Sequence, residues 1–140
     1  MKIKVMDIIV KTAQLNAIAG KKMPIRMSYA VSKNREVFAK EVDKYETERI
    51  KLCNAYADKD ADGKPVIAER EENGQKVSEY IFTKENREEL EKALADFRDM
   101  EVHLAIQKIN MKDLEKIDES DRFDALSPIE LESLYFMIDE

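Results

Sequence analysis

Four large apolar residues, Val31, Phe38, Tyr45 and Leu52, recur at seven-residue intervals, and no other feature narrows the fold so far. On a helix of 3.6 residues per turn that spacing keeps all four on one slowly drifting line. The segment from about 27 to 57 is therefore predicted to be a single helix about 45 Å long. Val42 and Tyr56 fall on the interleaved row, with Arg35 and Arg49 in its other two slots. Glu36, Lys40 and Lys44 lie off the stripe at four-residue spacing, where helical side chains meet. A stripe this long has to be covered. Either it packs against the rest of its own domain, or it forms a homodimer through the long helix.

The remaining segments imply an α+β class, helix-rich and single-domain over 1–140, with a β-hairpin and a small antiparallel sheet. Residues 2–5 alternate like a short strand. Asp7 can cap a helix over about 8–19 that buries Ile8, Ile9, Leu15 and Ile18 and stops at Gly20. Pro24 marks the break before the long helix. Asn73-Gly74, the dipeptide best suited to a tight turn, sits between two strand-like runs and predicts a hairpin over about 65–82. Thr83 opens a helix over about 84–99 with Leu90, Leu94 and Phe97 inward. Val102, Leu104 and Ile106 alternate as in a strand. Asn110 can cap a short helix ending near Ile117, and residues 118–125 form a charged loop. Ser127-Pro128-Ile129-Glu130 is a capping box with proline in the first turn, and the helix it starts is expected to turn Leu131, Leu134, Tyr135 and Ile138 inward.

Charge is divided unevenly. Eight of the first 35 residues are Lys or Arg and one is acidic, while residues 36–140 hold 16 basic and 29 acidic residues. A basic cap of about +7 thus joins an acidic body of about −13, for a net charge of −6. That net charge argues against wholesale binding to a polyanion, since a nucleic-acid binder carries an excess of cations on its binding face. The cap supplies Lys11, Lys21, Lys22 and Arg26 as candidate partner-binding residues. A nucleic-acid function would need Lys2, Lys4, Lys11, Lys21, Lys22 and Arg26 to converge on one surface. The plainer explanation is that these cations complement the acidic body of the same chain.

Chemistry has little to work with. A single His and a single Cys leave no material for a nucleophilic or transition-metal constellation, and one thiol cannot make an internal disulfide. His103 has the opposite parity to Val102 and Leu104 and is expected to face solvent or an interface. Cys53 adjoins Leu52 and is expected to be a small core residue. The three glycines, at 20, 63 and 74, each have a turn or cap to explain them, so no phosphate-cradling loop exists. The chain is expected to be no enzyme and to need no cofactor. One motif is sharper: Asp58-x-Asp60-x-Asp62-Gly63-x5-Glu69 matches the ligand spacing of a calcium loop. Its context does not. A hairpin follows where the second helix of such a site belongs, and Pro65 removes an N–H that paired loops use. The expected reading is a turn with no metal, with calcium at 58–69 as the weaker alternative. No run approaches the roughly 18 apolar residues of a membrane helix, and no signal peptide is apparent, so a soluble intracellular protein is expected.

Several segments taken together carry a resemblance. They are Leu15-Asn16, Met23-Pro-Ile-Arg-Met-Ser-Tyr29 leading into Lys33-Asn34, and Tyr45-Glu-x-Glu-Arg49-Ile-x-Leu52. The Asp60-x-Asp62-Gly63-Lys-Pro stretch and the closing Ser127-Pro128-x-Glu130-Leu131 with Phe136-Met-Ile138 complete the set. The pattern, spread over most of the chain, resembles a family of small proteins of unknown function encoded by tailed phages and prophages of Gram-positive bacteria. The resemblance implies a phage or prophage origin and no known activity. It implies a place in the cytoplasm of the bacterial host or in the virion, and it supplies no functional residues. The expected function is protein–protein interaction, as a virion or assembly accessory or a binder of a host factor.

Overall fold

The long helix runs Ile25–Tyr56 (α2) in the computed structural model, which describes residues 1–139. Around it the chain is α+β, in the order β1 (Lys2–Lys4), α1 (Val5–Ile18), α2, β2 (Ile67–Glu72), β3 (Gln75–Tyr80), α3 (Lys84–Asp99), β4 (Glu101–His103), β5 (Ile109–Asn110), α4 (Met111–Asp118), α5 (Pro128–Glu132) and β6 (Ile138–Asp139). Contacts divide the chain into two compact units. One comprises Met1–Asp43 and the segment from Glu101 onward; the other is Lys44–Met100, so α2 passes from the first to the second after Asp43.

The core of the first unit is built on one face of α2. Met27, Ala30, Val31, Asn34 and Phe38 follow an i, i+3, i+4, i+7, i+11 series and are buried, together with Ile8, Leu15 and Ile18 of α1 and with Ile109, Ile117, Leu134 and Met137. The slot beside Val31 that the seven-residue pattern assigns to Arg35 belongs instead to Asn34. Arg35 turns aside, and its Nε donates to Asn16 Oδ1 at 2.9 Å. Asn34 is fully buried because it has a partner: its Nδ2 donates to the Gln107 carbonyl at 3.0 Å and its Oδ1 accepts from the Gln107 N–H at 2.8 Å. A buried amide is tolerable only when paired in this way. That pair ties the segment between β4 and β5 to α2.

Two small sheets belong to this unit. β1 pairs antiparallel with β4, Ile3 opposite Val102. β5 pairs with β6 in parallel, Ile109 opposite Ile138, because α4 and α5 intervene and bring the chain back in the same direction. Four details differ from the sequence reading. Helix α1 begins at Val5, with Lys4 at its N-cap and no side-chain cap, so Asp7 stands in the first turn instead of before it. The strand expected over 102–106 runs only Glu101–His103, with one further exchange of hydrogen bonds between Met1 and Leu104; Leu104 and Ile106 are half-buried. The final helix stops after Glu132. Ser133 Oγ donates to the Glu130 carbonyl, Leu134 N–H closes a tighter turn on Leu131, and a 3-10 turn over Tyr135–Met137 follows. That change of pitch leaves Tyr135 60% exposed and buries Met137 in its place.

In the second unit the last turns of α2 bury Tyr45 and Cys53. The Tyr45 ring meets Phe97 of α3 edge-on at 5.1 Å, an arrangement aromatic quadrupoles favour. Thr83 caps α3 by accepting from Asn86 N–H, and Leu90 is its buried residue. The β2–β3 hairpin turns at Asn73-Gly74, both with positive φ (54° and 78°), as the tight hairpin turn demands. The seam of α2 is thus used within its own chain, while its outward positions carry charges such as Lys40, Lys44, Glu48 and Lys51.

Candidate interaction surfaces

Part of the basic cap is tied down within the chain. Lys21 Nζ forms an ion pair with Glu130 at 2.9 Å and donates to the Ala125 carbonyl at 3.0 Å. Next to it the Lys22 backbone N–H donates to Asp124 Oδ2, and its carbonyl accepts from Asp124 N–H. The two lysines therefore latch the connector after α1 to the acidic loop before α5. The capping hydrogen bond from the Ser127 backbone, then the Lys21 ammonium, hold the Glu130 carboxyl below its ordinary value of 4.5. Lys11 lies 4.7 Å from the centre of the Phe136 ring, a cation–π contact. Lys2 pairs with Glu101 at 3.1 Å. Arg26 is exposed and lines a cleft of about 350 Å³ with Tyr29, Lys108, Asn110, Asp113 and Asp139. Both signs of charge line that cleft, and Asp113 is committed to capping α4.

The Asp-rich loop folds onto its own backbone. Asp60 Oδ1 accepts from the N–H groups of Asp62 and Lys64, and Asp58 Oδ1 accepts from Thr83 N–H. Gly63 supplies the positive φ that the turn needs. Glu69 is carried away on β2, opposite Ser78. Asp62 and Glu69 are both exposed. Among the described residues no three His, Cys, Asp or Glu side chains gather as a metal-binding set. His103 is exposed and Cys53 is buried.

What the sequence reading missed is the outer face of α1. Met6, Val10, Ala13 and Ala17 are all exposed, Met6 and Val10 at 51% each. Their i, i+4, i+7, i+11 spacing sets them on one line over three turns. Scattered apolar residues on a surface need no explanation, but a contiguous uncharged stripe does. The contrast lies within the molecule. Exposed positions of α3 are mostly charged, from Lys84 and Glu85 to Asp96 and Asp99, with Ala95 the apolar exception, whereas α2 mixes charges with the exposed Ile25, Tyr29 and Ile50. The signal was available: α1 holds only two charges, Asp7 and Lys11, so its apolar residues cannot all face one core.

In the second unit, a groove of about 530 Å³ is lined by Tyr80, Phe82, Leu90 and Leu94, with Arg49 and Arg87 beside them. Arg49 is engaged by Glu46 at 3.0 Å and Arg87 stands over the Phe82 ring. No family model, no curated protein and no solved structure matches the chain, so function is argued from these surfaces. Among the described residues no helix is long and apolar enough to cross a membrane.

Proposed function

We propose that this is a non-enzymatic protein that acts by binding another protein through the outer face of α1. The observation that carries the reading is the uncharged line of Met6, Val10, Ala13 and Ala17 in a chain of which 39% is charged. Leaving two half-exposed aliphatic side chains in water forgoes roughly 2 kcal/mol that a covering surface would recover. Ala13 and Ala17 add close approach, because small residues let a partner backbone sit near the helix axis. The face alone presents roughly 300 Å², well short of the 800 Å² or so per partner of a stable interface. A stable complex therefore has to take in further surface beside α1 as well. With the phage resemblance, the partner is a phage assembly component or a host factor, met in the bacterial cytoplasm or carried in the virion.

The nucleic-acid alternative gains no comparable support. It needs a set of free cations on one surface, whereas Lys2 and Lys21 are ion-paired and Lys11 stands over Phe136. Among the described residues this leaves Lys22 and Arg26 as the candidates without a side-chain partner. Affinity capture from infected or induced cells tests the proposal, with wild type compared against Val10→Glu and against Lys40→Glu on the charged face of α2. A partner held by wild type and Lys40→Glu but lost with Val10→Glu is the expected result. Equal capture by all three, or retention of DNA or RNA at about 150 mM salt where weak electrostatic binding is screened, would overturn it.

A further inference from the structure

A groove of about 230 Å³ opens between α4 and α5, lined by Met111, Leu114, Ile117, Leu126 and Leu131 with two carboxylates, Glu115 and Asp118. Its α4 wall is a single face: Met111, Leu114, Glu115 and Asp118 recur at i, i+3, i+4 and i+7. The volume equals roughly eight waters at about 30 Å³ each. That is below the 300 Å³ or so at which cofactor and drug-sized sites begin, and it suits one or two aliphatic side chains.

The two carboxylates give the groove its selectivity. Four other acidic residues of this unit have structural tasks: Asp113 caps α4, Asp124 binds the Lys22 backbone, Glu130 pairs with Lys21 and Glu101 pairs with Lys2. Of the unpaired ones, Glu115 and Asp118 are those that line this groove. Among the described residues Glu115 and Asp118 have no hydrogen-bond or ion-pair partner. Neither cation of α4 lines the groove, and Lys116 is directed to Asp113. From residue 101 onward the chain has 4 basic and 11 acidic residues, so the surrounding field is negative as well.

We propose that this groove docks a peptide segment of another protein, one that seats one or two aliphatic side chains and brings a Lys or Arg to Glu115 and Asp118. Apolar burial supplies the anchor, and the unpaired carboxylates choose a basic flank over an acidic one. The inference goes beyond the reading of α1 and does not depend on it, because the two surfaces share no residue.

The test is a methyl NMR titration of the full chain with an end-capped Lys–Leu octapeptide, repeated with the matching Glu–Leu octapeptide. Saturable shifts of the Leu114, Ile117, Leu126 and Leu131 methyls are expected with the basic peptide, with affinity for the acidic one about fivefold or more weaker. The double variant Glu115→Lys, Asp118→Lys is expected to reverse that order. Glu115→Gln, the milder change, is expected to narrow it. Shifts that spread over the Glu-rich face of α3 and spare the groove methyls would overturn the proposal. So would an unchanged preference in both variants, or groove shifts on simple dilution, which would mark a second copy as the occupant.

Discussion

Replacing Asn34 tests whether a buried polar pair, as much as the apolar stripe, holds the first unit together. Asn34→Ala removes two hydrogen bonds to the Gln107 backbone and leaves an unfilled space beside Met137. Two hydrogen bonds at a net 0.5–1.5 kcal/mol each, plus a cavity of a few atoms, put the loss at about 2–4 kcal/mol. That is a large share of a typical stability of about 5–15 kcal/mol. Asn34→Leu separates the two terms, since it refills the volume and restores no hydrogen bond. If the pairing dominates, the leucine variant recovers about 1 kcal/mol at most. Urea denaturation measures the loss, and amide exchange at Gln107 reports whether the segment between β4 and β5 has come free. An Asn34→Leu chain as stable as wild type, with the Gln107 amide still protected, would refute the reasoning.

Further outcomes follow from the two loops. Asp60→Ala strips the acceptor from the Asp62 and Lys64 N–H groups, so both amides are expected to exchange faster, at a cost of about 1 kcal/mol. Calcium added to chelator-treated wild type is expected to give no saturable heat; micromolar heat that vanishes in Asp60→Ala would restore a calcium function for the loop. The Glu130 carboxyl is depressed in the folded chain, so the stability it contributes is full above its ordinary 4.5 and is lost as pH falls through the lower folded value. Protection of the Asp124 and Ser127 amides, taken relative to the intrinsic exchange rate at each pH, should therefore fall in acid, and Lys21→Met should shift the Glu130 titration upward by carboxyl-carbon NMR. A Glu130 that already titrates at its ordinary value in wild type would contradict this.

The sequence pattern reaches some parts of the fold and stops at others for physical reasons. Residues with a local mechanism announced themselves: Asn73-Gly74 for the hairpin, Ser127 with Glu130 and Asn110 for their caps, and the Val31–Phe38–Tyr45 line for α2. Asn34 did not, because a polar residue on a buried face is explained only by its partner at Gln107, 73 residues away. The pairing of β5 with β6 is non-local in the same way. The early end of α5 depends on a side-chain bond from Ser133 that no periodicity encodes. For the candidate surfaces, the charge split was plain, but its meaning required knowing that Lys21 meets Glu130 across 109 residues. The face of α1 was legible in principle, from a helix with too few charges to have a solvated side.

Site-specific photocrosslinking from position 10 of α1 tests the central claim most directly, with position 40 of α2 as the control in the same cells. Val10 and Lys40 are both exposed, one on the uncharged face and the other on a charged one. The account predicts a discrete protein adduct from position 10 and none from position 40. Equal labelling from both positions, or an adduct to nucleic acid from position 10, would contradict it.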